Sequence, residues 1–196
     1  SMKNRFRIAL LGAAFAGMMA TTAVAAPTDK PQVQFDTNMG SFVVELEPKA
    51  APKTVANFMQ YVKSGFYQGT IFHRVIPNFM IQGGGMNESM EEKDTKAPIA
   101  LESRNGLTNK RATIAMARTS DPNSATSQFF INVANNHFLD AARAADGQGY
   151  AVFGRVVSGM NTVDAIAGVR TESKGWHDDV PLRPVIIKKV TVIKGK

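Results

Sequence analysis

Short stretches in which apolar and polar residues alternate, separated by turn residues, are the feature that most constrains the fold of this 196-residue chain. Alternation places neighbouring side chains on opposite faces of a strand, so each stretch predicts a strand with one apolar face. The predicted strands cover residues 33–36, 41–47, two pieces within 72–85, 113–117, 127–133, 150–157 and 185–193. A hairpin turn is expected at residues 37–40, where Gly40 can adopt a positive φ.

Two stretches have helical periodicity instead. Apolar residues recur at helical spacing between residues 48 and 65, with Pro52 in the first turn and Gly65 at the end. A shorter helix is expected at residues 160–167. The segments 86–106, 135–149 and 169–184 read as loops or irregular chain. Many short strands with two helices predict a mainly β fold, a closed antiparallel barrel capped by helices.

The central run, residues 72–85, combines one guanidinium, one primary amide and several large apolar side chains. If a turn in the middle of this run joins two strand pieces, Phe72, Arg74, Met80 and Gln82 share one face. Arg and Gln side chains are costly to bury without partners, so a face that carries them beside Phe and Met usually meets a ligand. A solvated arginine on an amphipathic strand is the alternative. The residues alone indicate an apolar groove with one arginine.

The strand predicted at residues 127–133 has two unlike faces. The expected core face carries Phe129, Ile131 and Val133. The other face carries Gln128, Phe130 and Asn132. This face places a glutamine and a phenylalanine together on the open side of the sheet.

The formal net charge of +7 lies partly at the N-terminus. Lys3, Arg5 and Arg7 supply three of the charges, which leaves a mildly basic +4 for the remainder of the chain. No run of Lys or Arg interleaved with aromatic residues appears in the sequence, so we expect no nucleic-acid partner.

Composition excludes several kinds of site. The chain has no cysteine, which excludes disulfides, thiolate catalysis and cysteine-ligated metal. Its three histidines, at positions 73, 137 and 177, are irregularly spaced and lack an accompanying carboxylate motif, so no metal site is predicted. His73 is expected to be structural. Trp176 is expected to pack over one end of the barrel.

The first 25 residues are organised like a secretory signal peptide, and Ser1 before Met2 is typical of a cloning remnant. A basic start precedes an uncharged apolar run at residues 8–20, shorter than the ~20 residues of a comfortable membrane span. The Ala-Val-Ala sequence that ends at Ala25 fits a cleavage site. We expect residues 1–25 to be removed, 26–31 to be a linker and 32–196 to be the folded domain, with no stable membrane insertion after cleavage. An uncleaved anchor or a buried N-terminal helix is the alternative.

The order of residues in three blocks resembles the cyclophilins, the cyclophilin-type peptidyl-prolyl cis-trans isomerases. The blocks are residues 72–84, 127–131 and 150–156, and the resemblance extends over residues 32–194. It implies an eight-stranded antiparallel barrel with a helix at each end and a substrate groove on its outer surface. It also implies isomerisation of Xaa-Pro bonds in proline-containing polypeptides, which assists their folding, without a metal or cofactor. With the signal peptide, it implies a bacterial periplasmic member, and we expect a monomer.

The resemblance implies roles for individual residues. Arg74 looks like the catalytic arginine. Gln82 and Gln128 look like polar groups that hold the substrate backbone and orient Arg74, and Gln82 is counted as catalytic. The pocket for the proline ring looks like Phe79, Met80, Phe130 and Leu139. Ala117 and Arg118 fall where the groove edge offers main-chain bonds to the residue before proline. Phe138 and Tyr150 complete the expected substrate-binding set.

Three positions depart from the common family pattern. Phe138 stands where many eukaryotic members have a tryptophan that helps to bind cyclosporin, which implies weakened affinity for inhibitors of that type. Tyr150 stands where a groove histidine is common. Arg118 replaces a frequent asparagine, at a position whose implied role is chiefly main-chain.

A second class of function starts from the same groove. The chain could be a proline-peptide-binding chaperone module with little catalysis. Loss of the arginine or the glutamine would favour that alternative, and both Arg74 and Gln82 are present. The isomerase is therefore the leading interpretation.

Overall fold

The computed structural model describes Gly17 and residues 30–195. The predicted signal peptide apart from Gly17, its cleavage site and the linker residues 26–29 lie outside the described residues. Among the helices of the described part, none is long and apolar enough to cross a membrane.

The described chain contains ten strands, two α-helices and one short 3-10 helix. In chain order these are β1 (Gln32–Thr37), β2 (Gly40–Leu46), α1 (Pro52–Lys63), β3 (Arg74–Ile76), β4 (Met80–Gly83), β5 (Thr113–Met116), β6 (Phe129–Asn132), the 3-10 helix His137–Leu139, β7 (Val152–Ser158), α2 (Met160–Ala167), β8 (Thr171–Lys174), β9 (His177–Pro181) and β10 (Ile187–Lys194). The predicted mainly β fold with two α-helices is confirmed.

Eight strands form one antiparallel sheet in the order β10-β1-β2-β7-β5-β6-β4-β3. The sheet curls through 204°, and its closure into a barrel is not shown. The segments that precede the two edge strands meet at an isolated bridge between Ile71 and Ile186. The predicted eight strands are present, and the closed barrel stays a prediction.

Helix α1 begins at Pro52 and not at residue 48, because residues 48–50 form a turn and the fixed φ of proline suits the first helical position. No side chain of the preceding residue caps the helix. Glu102 does so from the long loop at 86–106, since its Oε1 accepts hydrogen bonds from the Thr54 backbone N–H (2.6 Å) and Oγ1 (2.8 Å). The loop is thereby tied to the first turn of α1.

The main core lies inside the curled sheet and is rich in aromatic rings. Phe129 is fully buried at its centre, with ring centroids 5.4 Å from Phe35, 5.5 Å from Tyr67 and 6.0 Å from Phe72. As predicted, Phe129, Ile131 and Val133 lie in this core. The expectation that Phe72 shares a face with Arg74 is wrong, because β3 begins only at Arg74 and the chain before it does not follow strand alternation.

The region 169–184, expected to be irregular, contains a separate two-stranded hairpin formed by β8 and β9. Its polar residues Thr, Glu, Ser and Lys have no apolar alternation, so the pattern gave no strand signal. Trp176 does not pack over a barrel end as predicted. It lies in the hairpin turn after Gly175, whose φ is +57°, and its side chain is 100% exposed.

Candidate active site

Two neighbouring strands bring the central polar residues together. The β3–β4 hairpin turns through Asn78, which has a φ of +59°, and its register places Arg74 directly opposite Gln82. Arg74 Nη1 donates to Gln82 Oε1 at 3.4 Å, and Gln82 Nε2 donates to Gln128 Oε1 at 3.0 Å. The two glutamines therefore form a short hydrogen-bonded series that ends on the guanidinium.

A second, smaller apolar cluster lies beside these polar groups, separate from the main core. Its buried members are Met80, Ala115, Phe130 and Val152, and its half-buried members include Phe79, Leu139 and Tyr150. Strand β6 supplies both clusters, because consecutive residues face opposite sides of the sheet. Phe129 enters the main core and Phe130 the outer cluster, as the alternation at 127–133 predicts.

A cavity of about 240 Å³ opens over the outer cluster. It is lined by Arg74, Phe79, Met80, Gln82, Ala117, Arg118, Phe130, Leu139 and Tyr150. All the expected site residues except Gln128 and Phe138 therefore line a single cavity. Gln128 lies behind Gln82 and lines an adjoining cavity of about 150 Å³. Phe138 is 58% exposed at the rim, where its ring stacks on that of Phe79 at 5.7 Å.

Arg74 supplies positive charge at this cavity. Within residues 30–195, no carboxylate lies within 4.0 Å of its guanidinium. Its side chain is held by the Gln82 amide, a neutral partner that leaves its charge uncompensated. Among the described residues, no group of three or more His, Asp or Glu side chains is placed to hold a metal ion. The arrangement can direct N–H donors at a ligand that is seated on the apolar floor.

The 3-10 helix His137–Leu139 sits within a segment that was predicted to be a loop, and it presents Phe138 and Leu139 to the cavity rim. Asp140 closes it, accepting hydrogen bonds from the Asn109 backbone N–H (2.6 Å) and contacting His137 Nδ1 (2.9 Å). Burial raises the pKa of Asp140, but hydrogen bonds from Asn109 and His137 outweigh burial and hold it below its ordinary value. A charged carboxylate thus fixes this rim. No sequence pattern pointed to the Asn109 contact, which spans 31 positions.

The side chain of Arg118 is the feature that the sequence reasoning missed. Its expected role was main-chain, yet the side chain is only 2% exposed and stacks on the Tyr150 ring, with Cζ 4.6 Å from the centroid. The neighbouring Ala117 N–H donates to the Gln128 carbonyl at 3.0 Å, so it cannot also donate to a substrate. A buried arginine with this many contacts shapes the cavity.

Because Gly85 has no Cβ, it leaves room for the Gln128 side chain, and this leads to a prediction. A Cβ at position 85 would lie 2.4–2.7 Å from the Gln128 side chain, so Gly85→Ala must displace the Gln128 amide. We expect kcat/KM to fall about fivefold, because one hydrogen bond is worth about 1 kcal/mol. The free energy of unfolding should also fall, by about 1–3 kcal/mol, because the atom closest to the added Cβ is the Gln128 Cγ at 2.4 Å, near the root of the side chain, and overpacking a buried position strains the structure.

Gly168→Ala is the matched control for this prediction. A Cβ at position 168 would make only ordinary contacts, at 3.6 Å, at the end of α2. The control should retain wild-type kcat/KM in a peptide isomerisation assay. Wild-type activity of Gly85→Ala would contradict a role for the Gln128 position.

His73, the residue before Arg74, carries a second prediction, which concerns stability. It is buried, and its Nδ1 has no hydrogen-bond partner among the described residues. Burial lowers its pKa to about 4, with smaller contributions from the neighbouring His177 and Arg74. Between about pH 4 and the ordinary value of 6.5, the unfolded chain binds a proton that the folded chain rejects. Stability is therefore lost as the pH falls through this window, by up to about 3 kcal/mol.

The measurement is the free energy of unfolding in urea at several pH values between 4 and 7. His73→Phe removes the titrating group while keeping a buried ring, so its stability should depend less steeply on pH in this window. An identical pH dependence in the two proteins would show that His73 is not the group responsible.

Comparison with known proteins gives the family. The family model for cyclophilin type peptidyl-prolyl cis-trans isomerase/CLD matches residues 32–192. The chain is 58% identical over 160 residues to a peptidyl-prolyl cis-trans isomerase of Acinetobacter baylyi, covering 82% of this chain and 84% of the relative. It is 54% identical over 161 residues to peptidyl-prolyl cis-trans isomerase B of Escherichia coli, covering 82% and 98%.

Solved structures agree with the sequence comparisons. A crystal structure of a Cryptosporidium parvum cyclophilin matches with a TM-score of 0.70 at 26% identity, covering 85% of this chain and 99% of that one. The same cyclophilin in the presence of the dipeptide Ala-Pro matches with a TM-score of 0.69. This chain belongs to the cyclophilin family. It is a peptidyl-prolyl cis-trans isomerase, as the sequence predicts.

Proposed function

We propose that this isomerase accelerates Xaa-Pro isomerisation in protein substrates through Arg74, which stabilises the twisted amide without forming a covalent intermediate. The observation that carries the proposal is the Arg74 guanidinium, unpaired with any carboxylate of residues 30–195, in the lining of a cavity with an apolar floor. One structural neighbour was determined in the presence of Ala-Pro. We infer that this cavity receives proline-containing polypeptides.

The reaction needs little covalent chemistry. The Xaa-Pro barrier arises because the C–N bond has partial double-bond character, which costs ~18–20 kcal/mol to break by rotation. In the twisted state, resonance is lost and the prolyl nitrogen gains a lone pair. A guanidinium N–H directed at that nitrogen binds the twisted amide more strongly than the planar one, which is the condition for catalysis. Arg remains charged at all relevant pH values.

The apolar residues and the glutamines have complementary roles in this proposal. The proline ring is held by Phe79, Met80, Phe130 and Leu139 while the carbonyl side of the bond rotates. Gln82 and Gln128 hold Arg74 and the substrate backbone in register, which their hydrogen-bonded series supports. A barrier lowered by about 5–8 kcal/mol would accelerate exchange ~10⁴–10⁶-fold.

A peptide isomerisation assay on residues 26–196 tests this function, with Arg74→Ala measured beside the wild type. The proposal requires acceleration by the wild type and its loss in the variant. Full activity of Arg74→Ala would remove Arg74 from the mechanism. A folding-client aggregation assay on the same two proteins addresses the chaperone alternative, because protection that survives in Arg74→Ala would identify binding without catalysis.

We also propose that the enzyme acts in the periplasm, as a monomer, after removal of residues 1–25. The support is the basic start, the apolar run and the Ala-Val-Ala sequence before Ala26. Mass spectrometry of the protein exported by a bacterial host tests this, and a cytoplasmic product that retains residues 1–25 would contradict it. Light scattering of the exported protein tests the monomer.

The residue at the rim of the cavity, Phe138, supports the proposal that this protein binds cyclosporin-type inhibitors with weakened affinity. Phe138 offers a phenyl ring, smaller than an indole and without its N–H donor, at an exposed position. Inhibition of the isomerase by cyclosporin at concentrations that inhibit a tryptophan-bearing cyclophilin would contradict this part of the proposal.

We further infer that the curled sheet closes into a barrel where its two ends meet. The support is the Ile71–Ile186 bridge with two flanking hydrogen bonds, from Phe72 N–H to the Val185 carbonyl (3.0 Å) and from Ile187 N–H to the Thr70 carbonyl (2.8 Å). Slow hydrogen exchange at these two amides would support closure, and exchange at the rate of an exposed loop would exclude it.

A further inference from the structure

We infer that the Arg118 side chain is a positioning residue, which holds Tyr150 and the segment 146–149 as one wall of the substrate cavity and so sets substrate affinity. The inference rests on the proposed function of that cavity. It assigns to this side chain a role through Tyr150, separate from the rotation step at Arg74.

Each nitrogen of the Arg118 guanidinium donates within the chain. Nε and Nη2 donate to the Gly149 carbonyl at 3.1 and 2.8 Å, and Nη1 donates to the Thr119 carbonyl at 2.9 Å. Nη2 also pairs with Asp146 Oδ2 at 2.8 Å. The planar guanidinium thus joins two separate loops, and its charge already has a carboxylate partner.

The segment 146–149, which Arg118 holds, loses much conformational entropy when it is ordered. Gly147 and Gly149 both have a φ of +69°, and glycine loses more conformational freedom on folding than other residues. Asp146 accepts hydrogen bonds from the Gln148 and Gly149 backbone N–H groups at 2.9 and 3.3 Å, which forms the segment into a compact turn. Arg118 ties this turn to the rest of the domain.

The tie reaches the cavity through Tyr150. The guanidinium stacks on the Tyr150 ring, and that ring meets Phe130 edge-on at 5.6 Å. The Tyr150 N–H donates to the Leu139 carbonyl at 2.9 Å. A shift of Tyr150 would therefore disturb two residues proposed to hold the proline ring.

Arg118 also stands between two cavities. It lines both the cavity of about 240 Å³ and the adjoining cavity of about 150 Å³. Because its charge is paired and its nitrogens are bonded internally, its position in the shared lining of the two cavities is fixed. A side chain with these bonds is not free to seek an acidic residue of the substrate.

The test compares Arg118→Met with Arg111→Met. Arg111 also pairs with an aspartate, Asp164, at 2.7–2.9 Å and donates to the Val133 carbonyl, but it does not line the cavity. We expect Arg118→Met to raise KM about tenfold with kcat within about twofold of wild type. Arg111→Met should leave both constants unchanged. An unchanged KM in Arg118→Met would overturn the inference.

Two further readouts separate positioning from a direct charge contact. The rise in KM should be the same for Ala-Pro and Glu-Pro peptides, and a rise confined to Glu-Pro would overturn the inference. Arg118→Lys keeps the positive charge but lacks the planar set of donors. We therefore expect its KM to remain at least about threefold above that of the wild type. Full recovery of wild-type KM by lysine would also overturn it.

Tyr150 provides a spectroscopic check. Its ring resonances, with ¹³C-labelled tyrosine, should move in Arg118→Met and stay in place in Arg111→Met. If Arg118→Met fails to fold, Arg118→Lys and Asp146→Asn decide by the same two measurements, and unchanged KM and Tyr150 resonances in both would overturn the inference. Failure of the proposed function has a different signature, since it would leave Arg74→Ala fully active.

Discussion

Arg74→Ala is expected to lower kcat/KM by about 10²–10³, the range found when one preorganised donor is removed from an active site. The loss should fall on kcat, with KM nearly unchanged, because the donor acts on the twisted amide and adds little to ground-state binding. The position supports this split. Met80 and Phe130 are buried members of the outer apolar cluster, whereas the guanidinium is bonded to Gln82, so the apolar floor does not depend on the guanidinium.

Two matched substitutions accompany that measurement. Arg74→Lys keeps a positive charge without the rigid planar donor set, so its kcat should lie between those of the wild type and Arg74→Ala. Arg155→Ala removes an arginine that is 57% exposed and 3.5 Å from Glu45, on β7 and outside the cavity lining, and should leave kcat unchanged. A kcat/KM for Arg74→Ala within about threefold of wild type would contradict the proposed role.

Phe129→Ala is expected to lower the free energy of unfolding by about 3–5 kcal/mol, the usual cost of emptying a buried aromatic site. That is a large share of the free energy of unfolding of an ordinary domain, which is about 5–15 kcal/mol. The cost should be near the upper end, because Phe129 is fully buried and its ring contacts those of Phe35, Phe58, Tyr67 and Phe72.

Urea unfolding of Phe129→Ala and Phe138→Ala measures this effect. Phe138 is 58% exposed and contributes no ring to the main core, so its replacement should change the free energy of unfolding by less than about 1 kcal/mol. A loss below about 1 kcal/mol in Phe129→Ala would show that the aromatic cluster is not the centre of the core.

Alternation predicted much of the fold because the sheet has one face on an apolar core. Residues 127–133 illustrate this, since the core and cavity faces of β6 follow directly from the two-residue period. The β8–β9 hairpin escaped prediction because it lies outside the main sheet and β8 contains no apolar residue, so no two-residue period marks it. Trp176 shows the same limit, since hydrophobic character alone does not say whether a turn will expose a ring.

The candidate site also has one part that the sequence could predict and one part that it could not. Its residues could be named from the family resemblance, and the β3–β4 register explains why Arg74 and Gln82 meet. The destination of the Arg118 side chain could not be predicted, because its partner Gly149 lies 31 positions away and a buried arginine looks like an exposed one in sequence. Long-range polar contacts of this kind have no periodic signature.

The most direct test of the central claim follows a ¹³C-labelled Xaa-Pro peptide bound to the enzyme, by exchange spectroscopy, in the wild type and in Arg74→Ala. This measurement separates rotation on the enzyme from binding. We predict that exchange between the bound cis and trans forms slows about 100-fold in Arg74→Ala, while the Kd of each form stays within about threefold of wild type. Unchanged exchange in the variant, or a loss of rate explained entirely by weaker binding, would contradict the account.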